Sequence, residues 1–254
     1  MIEKLSPLPA SLQELKKPPK VLYHLGDSAL LEKKMISIVG TRHPSQYTKE
    51  MTRKLAEKFS HISYVVVSGA AMGVDALAHH GAFPNTVAVM ANSLDIAYPA
   101  VNKKLITSMQ EEALVLSEYP ATTRATKFSF VIRNRLVVAL GDVLIITEAD
   151  ENSGTMRSAE IAIEMGKKIY VLSQRIGDSL GTHKLVKEGH AEIITDIDTF
   201  IAQFGLLEEQ EFGELAFFKS SPTLAESLEK FGDKVYELEL EGKITIKNLK
   251  VRLS

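Results

Sequence analysis

Short apolar runs alternate along this chain with longer stretches whose apolar residues recur at helical spacing. The run Met35–Val39 (MISIV) is short and mostly apolar with β-branched residues, as in a buried strand. Residues 47–60 then place Met51, Leu55, Ala56 and Phe59 three or four apart, which predicts an amphipathic helix. The same alternation continues. Strands are predicted over 65–67, 86–91, 113–116, 142–147 and 169–172, with a last one at Ile193-Ile194. Helices are predicted from Ala76, over 130–140, through Ala159, Ala162, Ile163 and Met165, and from Gly181, with residues 196–204 closing the domain. This order predicts an α/β fold, an extended Rossmann-like open, mostly parallel sheet with helices on both faces.

Two segments stand outside the alternation. Residues 1–34, broken by Pro7, Pro9, Pro18 and Pro19, read as an N-terminal lead-in arm packing on the main body, residues 35–205. From Leu206 the composition shifts. Residues 206–254 carry seven Lys and Arg against ten Asp and Glu, a balance of −3. EFGELAFF and the residues after it suggest two or three short helices and a terminal hairpin, with a helix start at Ser221-Pro222-Thr223, in a small winged-helix-like domain. Its acidic balance suits protein contacts better than DNA.

At 254 residues the chain suffices for one large α/β domain plus an appendage. Cysteine is absent, which excludes disulfides, a thiol nucleophile and Cys-ligated zinc. His79 and His80 are adjacent and point in different directions on a helix, a poor metal pair. No stretch suits a signal peptide or membrane span, so a cytoplasmic location and no membrane partner are expected. Net charge is −2, so any nucleic-acid site has to be a local patch.

Residues 120–135 provide such a patch. Arg124, Lys127, Arg133 and Arg135 stand there without a single acid, a local balance of +4, with Phe128 and Phe130 interleaved. Cations for phosphates and rings for bases are what a single-stranded nucleic-acid site needs. A solvated basic helix face with its Phe side chains in the core fits the same residues. Three further strand-end turns carry donors: Gly40, Thr41 and Arg42; Ser68 and Gly69 through Gly73; and Ser153, Gly154 and Thr155 before a helix. In a parallel sheet such turns meet on one edge, where helix N-termini offer free N–H groups to anions. Ser153 or Thr155 fits a plain N-cap equally well.

These pieces together resemble the DNA-processing protein A (DprA/Smf) family of bacterial natural transformation. The matching segments are SIVGTR at 37–42, SGAAMGVDALAHHGA at 68–82, Tyr98-Pro99 with Asn102, SEYP at 117–120, FVIRNR at 130–135 and SGTMRSAEIAIEMGKKIYVL at 153–172. The resemblance implies a homodimer that binds single-stranded DNA without sequence preference, protects incoming DNA and helps load the RecA recombinase. It implies no catalysis and no cofactor. By motif position, Arg42 and Lys127 would meet phosphate and Phe130 a base. Arg133 and Arg135, with Asn134 between them, would line the same pocket beside Ser153, Gly154 and Thr155. The C-terminal domain would meet other competence proteins. Three departures stand out: Ala70 where members often carry a second Gly, Leu172-Ser173-Gln174 in place of a Pro-Gly, and Phe128 where some carry a small residue. The competing resemblance is to nucleoside-monophosphate phosphoribohydrolases of the LOG/lysine-decarboxylase-like family. There Ser158 occupies the slot of the catalytic Glu. Glu160 comes two residues late, rotated by about 200° on a helix.

Overall fold

Four apolar residues around one serine make up Met35–Val39 (β3), and all five are buried, the Ser37 hydroxyl donating to the Val137 carbonyl at 2.6 Å. A computed structural model of the chain describes residues 2–205, 217–218 and 221–253. Eight further strands join β3 in one sheet: β1 (Glu3–Lys4), β2 (Tyr23–Gly26), β4 (Val65–Ser68), β5 (Thr86–Val89), β6 (Leu114–Ser117), β7 (Leu144–Ile146), β8 (Ile169–Leu172) and β9 (Glu192–Ile194). Their order is β1-β2-β6-β5-β4-β3-β7-β8-β9. From β6 to β9 across the sheet all neighbours run parallel. β1 and β2 are antiparallel additions at one edge.

The lead-in holds to the body by backbone pairing. Its segment Tyr23–Gly26 pairs with β6, Tyr23 opposite Ser117 and Gly26 opposite Leu114. No alternation marked this strand, because its four residues are only half-buried or exposed.

Both sheet faces are covered. α1 (Ala10–Gln13), α4 (Lys103–Glu112), α5 (Lys127–Leu140), α6 (Gly154–Glu164) and α7 (Leu180–Lys187) follow the order of the chain on one face. Their Leu12, Ile106, Val137, Ala159 and Leu185 share one core with Val65 and Val67 of β4. Val66 faces the other way, by the two-residue period of a strand. There α2 (Gln46–His61) packs on α3 (Val74–Ala82) and on α8 (Ile197–Ala202). Phe59, Tyr64, Tyr170, Phe200 and Phe204 close that side as a cluster of edge-to-face and tilted rings.

From β3 the chain steps through β4 and β5 to β6, then α5 carries it back to β7 on the far side of β3. That reversal opens a crevice at the carboxyl ends of β4, β3 and β7, where open α/β sheets place ligands. The start of α5 also moves. Apolar spacing pointed to Phe130, yet the helix begins at Lys127. Thr126 accepts from the Ser129 N–H at 3.1 Å while the Ser129 hydroxyl accepts from the Thr126 N–H at 2.8 Å. This reciprocal cap adds a turn that no apolar residue announces.

The chain divides into two compact units, residues 1–205 and 206–254. In the second, α9 (Leu224–Phe231), α10 (Lys234–Leu240) and the hairpin β10 (Ile244–Lys247) with β11 (Lys250–Leu253) enclose Phe218, Val235, Leu238, Ile244 and Val251. Thr223 and Glu226 cap α9 reciprocally, as the Ser-Pro-Thr start predicts. Most of EFGELAFF lies outside the described residues. Among the described residues, no helix is long and apolar enough to cross a membrane.

Candidate nucleic-acid interface

Four chain segments meet at the crevice and line a cleft of about 700 Å³. The turn after β3 supplies Gly40, Thr41 and Arg42. The loop after β4 supplies Gly69 and Ala71. The start of α5 supplies Lys127, Phe130 and Asn134, and the start of α6 supplies Ser153, Gly154 and Thr155.

Close backbone packing holds the first turn. The Thr41 N–H donates to the Glu148 carbonyl at 2.9 Å, and its own carbonyl accepts from the Val74 N–H at 3.1 Å. A Cβ on Gly40 would stand 2.6 Å from a Val74 methyl, so only glycine fits. The loop after β4 is held from outside: Asn102 donates to the carbonyls of Ala70 and Ala71 at 3.1 and 3.0 Å. Ala70 sits at φ +55°, a left-handed conformation, which explains why glycine suits this position.

Beneath the loop lies a buried polar layer. The His79 Nε2 accepts from the Ala70 N–H at 3.3 Å, and Nδ1 faces the Thr86 hydroxyl at 2.7 Å. That hydroxyl already donates to the Val66 carbonyl, so Nδ1 carries the proton and the ring is neutral. Burial, with Arg133 and His80 as nearby cations, pushes its pKa down to about 3. Asp75, also buried, accepts from the Ala71 N–H at 3.3 Å. Burial pushes its carboxyl up, and Arg133 opposes that shift. Arg133 donates to the carbonyls of Gly69 and Val89.

The basic stretch thus divides. Arg133 is only 3 % exposed and acts as a strut under the cleft floor, with just part of its surface on the cleft. Arg135 leaves the cleft altogether, because Glu118 grips it with two bonds of 2.6 Å and the Lys17 carbonyl takes its Nε. Of the four cations, Arg124 and Lys127 stay exposed, and Arg42 joins Lys127 from the far wall. Asn134 ties the walls together by donating to the Gly154 carbonyl at 3.3 Å. Ser68 is buried, its hydroxyl on the Ile38 carbonyl at 2.7 Å, and it does not line the cleft. Ser153 precedes α6 without capping it by its side chain, and its hydroxyl has no hydrogen-bond partner.

Phe130 forms one wall. The Arg42 guanidinium lies over its ring at 5.0 Å and that of Arg133 at 5.8 Å, while the Tyr98 ring is 6.2 Å away. Both contacts are of the cation–π kind. Tyr98, Asp75 and Thr126 also line the cleft without having been singled out as site residues. The signal for Tyr98 was its Tyr-Pro motif. Asp75 stood within the 68–82 motif, but nothing local marked its carboxylate as facing the cleft. Among the described residues, no group of three or more His, Cys, Asp or Glu gathers as a metal site.

The model of the DNA recombination-mediator protein A family matches residues 4–205. The chain belongs to that family, DprA/Smf. DNA processing protein DprA of Streptococcus pneumoniae is 34 % identical over 77 % of this chain and 71 % of its own length. DprA of Bacillus subtilis is 32 % identical over 76 % of this chain and 67 % of its own. The chain spans 54 % of the Smf protein of Synechocystis, at 32 % identity. A solved DNA processing protein A from Helicobacter pylori, described for its single-stranded DNA binding mode, superposes with a TM-score of 0.79. It is 41 % identical, over 80 % of this chain and 95 % of that one. The S. pneumoniae DprA crystal structure superposes with a TM-score of 0.75 at 32 % identity, over 81 % of this chain and 75 % of that one. Both DprA likenesses agree with the mostly parallel sheet described above, and the DprA/Smf resemblance read from the motifs stands.

Proposed function

We propose that this DprA/Smf member binds single-stranded DNA in the cleft without sequence preference. Acting as a homodimer, it protects incoming DNA and helps load the RecA recombinase, with its acidic C-terminal unit meeting other competence proteins. The observation that carries the reading is the juxtaposition of Arg42, Lys127 and the Phe130 ring in one cleft, beside the N-terminus of α6. Two cations and free helix N–H groups suit phosphates, and a ring face accepts any base, so the contacts on offer read no sequence. The single-stranded DNA binding described for the H. pylori relative supports the assignment.

A phosphoribohydrolase is disfavoured on the same geometry. Asp75 is the carboxylate lining the cleft, and it is buried beside Arg133. Glu160 is exposed and paired with Arg157 at 2.8 Å, and does not line the cleft.

Fluorescence anisotropy with labelled oligo-dT and an equally long duplex, each at two salt concentrations, tests the proposal. Tight binding to oligo-dT that weakens with salt, with little duplex binding, is expected. Equal affinity for both, or for neither, would overturn it, and release of free base from AMP would restore the hydrolase.

A further inference from the structure

Phe130 is the ring that motif position assigns to a base, yet its surroundings are already crowded. Arg42 lies over its face at 5.0 Å, with Arg133 and Tyr98 close by. The ring that α5 holds out to solvent is a different one. Phe128 is 72 % exposed, in the first turn of the helix, between Lys127 and the capping Ser129. An α-helix turns about 100° per residue, so Lys127 and Phe130 share one column and Phe128 and Val131 form the next. Val131 lines the cleft and is itself exposed. The column of Phe128 therefore borders the cleft wall through Val131, while its own ring lies outside the residues that line the cleft.

The surroundings select the occupant. Residues 119–141 contain no acid, and Arg124 and Lys127 flank the ring from the same segment. Glu118, the acid just before them, is taken up by Arg135. An exposed aromatic ring among cations suits the unpaired bases of a polyanion, by stacking and charge together.

We infer that Phe128 is a second base platform, stacking on a nucleotide beside the cleft, one step outside the nucleotides held by Arg42, Lys127 and Phe130. This rests on the single-strand reading of the cleft and extends its track.

The chain contains no Trp, so Phe128→Trp makes a sole-tryptophan reporter at the position in question. In the full chain, oligo-dT is expected to quench that tryptophan saturably, along the isotherm that anisotropy gives for the same oligonucleotide. Phe128→Ala is expected to bind oligo-dT about 5- to 150-fold more weakly, the range for one lost base stack. Phe128→Leu, which keeps apolar area but no ring, is expected to behave like Phe128→Ala. The side chain is exposed, so all three variants are expected to keep the wild-type circular dichroism. An unquenched tryptophan in a complex that anisotropy shows to be formed would overturn the inference. So would unchanged affinity in Phe128→Ala, or full retention in Phe128→Leu. A change of oligomeric state in Phe128→Ala would assign the ring to a contact between copies, which also overturns it. If wild type binds but only Phe130→Ala is weakened, the platform fails and the cleft reading stands. If wild type binds no oligo-dT, both fall.

Discussion

Replacing His79 by Gln should remove one acid-sensitive element from the stability of the main unit. The wild-type ring is buried and neutral, with Nε2 accepting from the Ala70 N–H and Nδ1 facing Thr86. Its folded-state pKa is about 3, against an ordinary 6.5. The folded value is the lower one, so this contribution is complete above pH 6.5 and is lost as pH falls toward 3. At about 1.36 kcal/mol per pKa unit, the full loss is on the order of 5 kcal/mol. Between pH 7 and pH 5 it amounts to about 2 kcal/mol. Gln stays neutral throughout, and the amide offers both an acceptor and donors at that position. Urea unfolding followed by circular dichroism at pH 7, 6 and 5, at constant salt, should therefore show wild type losing about 2 kcal/mol more than His79→Gln over this range. The folded ring remains neutral at pH 5, so oligo-dT affinity of the folded protein should not reflect its titration. Parallel pH slopes for the two proteins would refute the buried neutral ring.

Gly69→Ala would drive a Cβ into the Arg133 guanidinium and strip it from the Gly69 and Val89 carbonyls. Two bonds to a charged donor are worth about 3–6 kcal/mol, so thermal denaturation should show a midpoint lower by roughly 9–18 °C at about 3 °C per kcal/mol. A drop of less than about 3 °C would mean that Arg133 is no strut. Arg42→Ala and Lys127→Ala should each weaken oligo-dT binding and flatten the slope of log affinity against log salt by about one. Glu118→Gln should cost about 1.5–3 kcal/mol in urea unfolding through its bonds to Arg135. Anisotropy with oligo-dT should be unaffected by it, since Arg135 lies off the cleft.

Several features were legible from sequence because they are local. A run such as Met35–Val39 admits one environment, and Gly40 or Ser153-Gly154-Thr155 marks a turn by its own backbone chemistry. Alternation of strand and helix then implies a parallel sheet, and a parallel sheet gathers its strand-end turns on one edge. The convergence of four loops in one cleft followed from that order. What the basic stretch does with its charges was not local. Arg133 is spent on carbonyls 64 and 44 residues away, and Arg135 on Glu118. The two phenylalanines look alike in sequence, but the cap at Thr126 sets the phase of α5, turning Phe130 toward Arg42 and Phe128 toward solvent. A half-buried strand such as Tyr23–Gly26 exists only because β6 offers it a free ladder. Sequence alone therefore determined the parallel strands, their turns and the edge on which they meet. Only the tertiary structure decided which cations and which ring face the cleft, since a buried charge takes its partners from wherever the fold brings them.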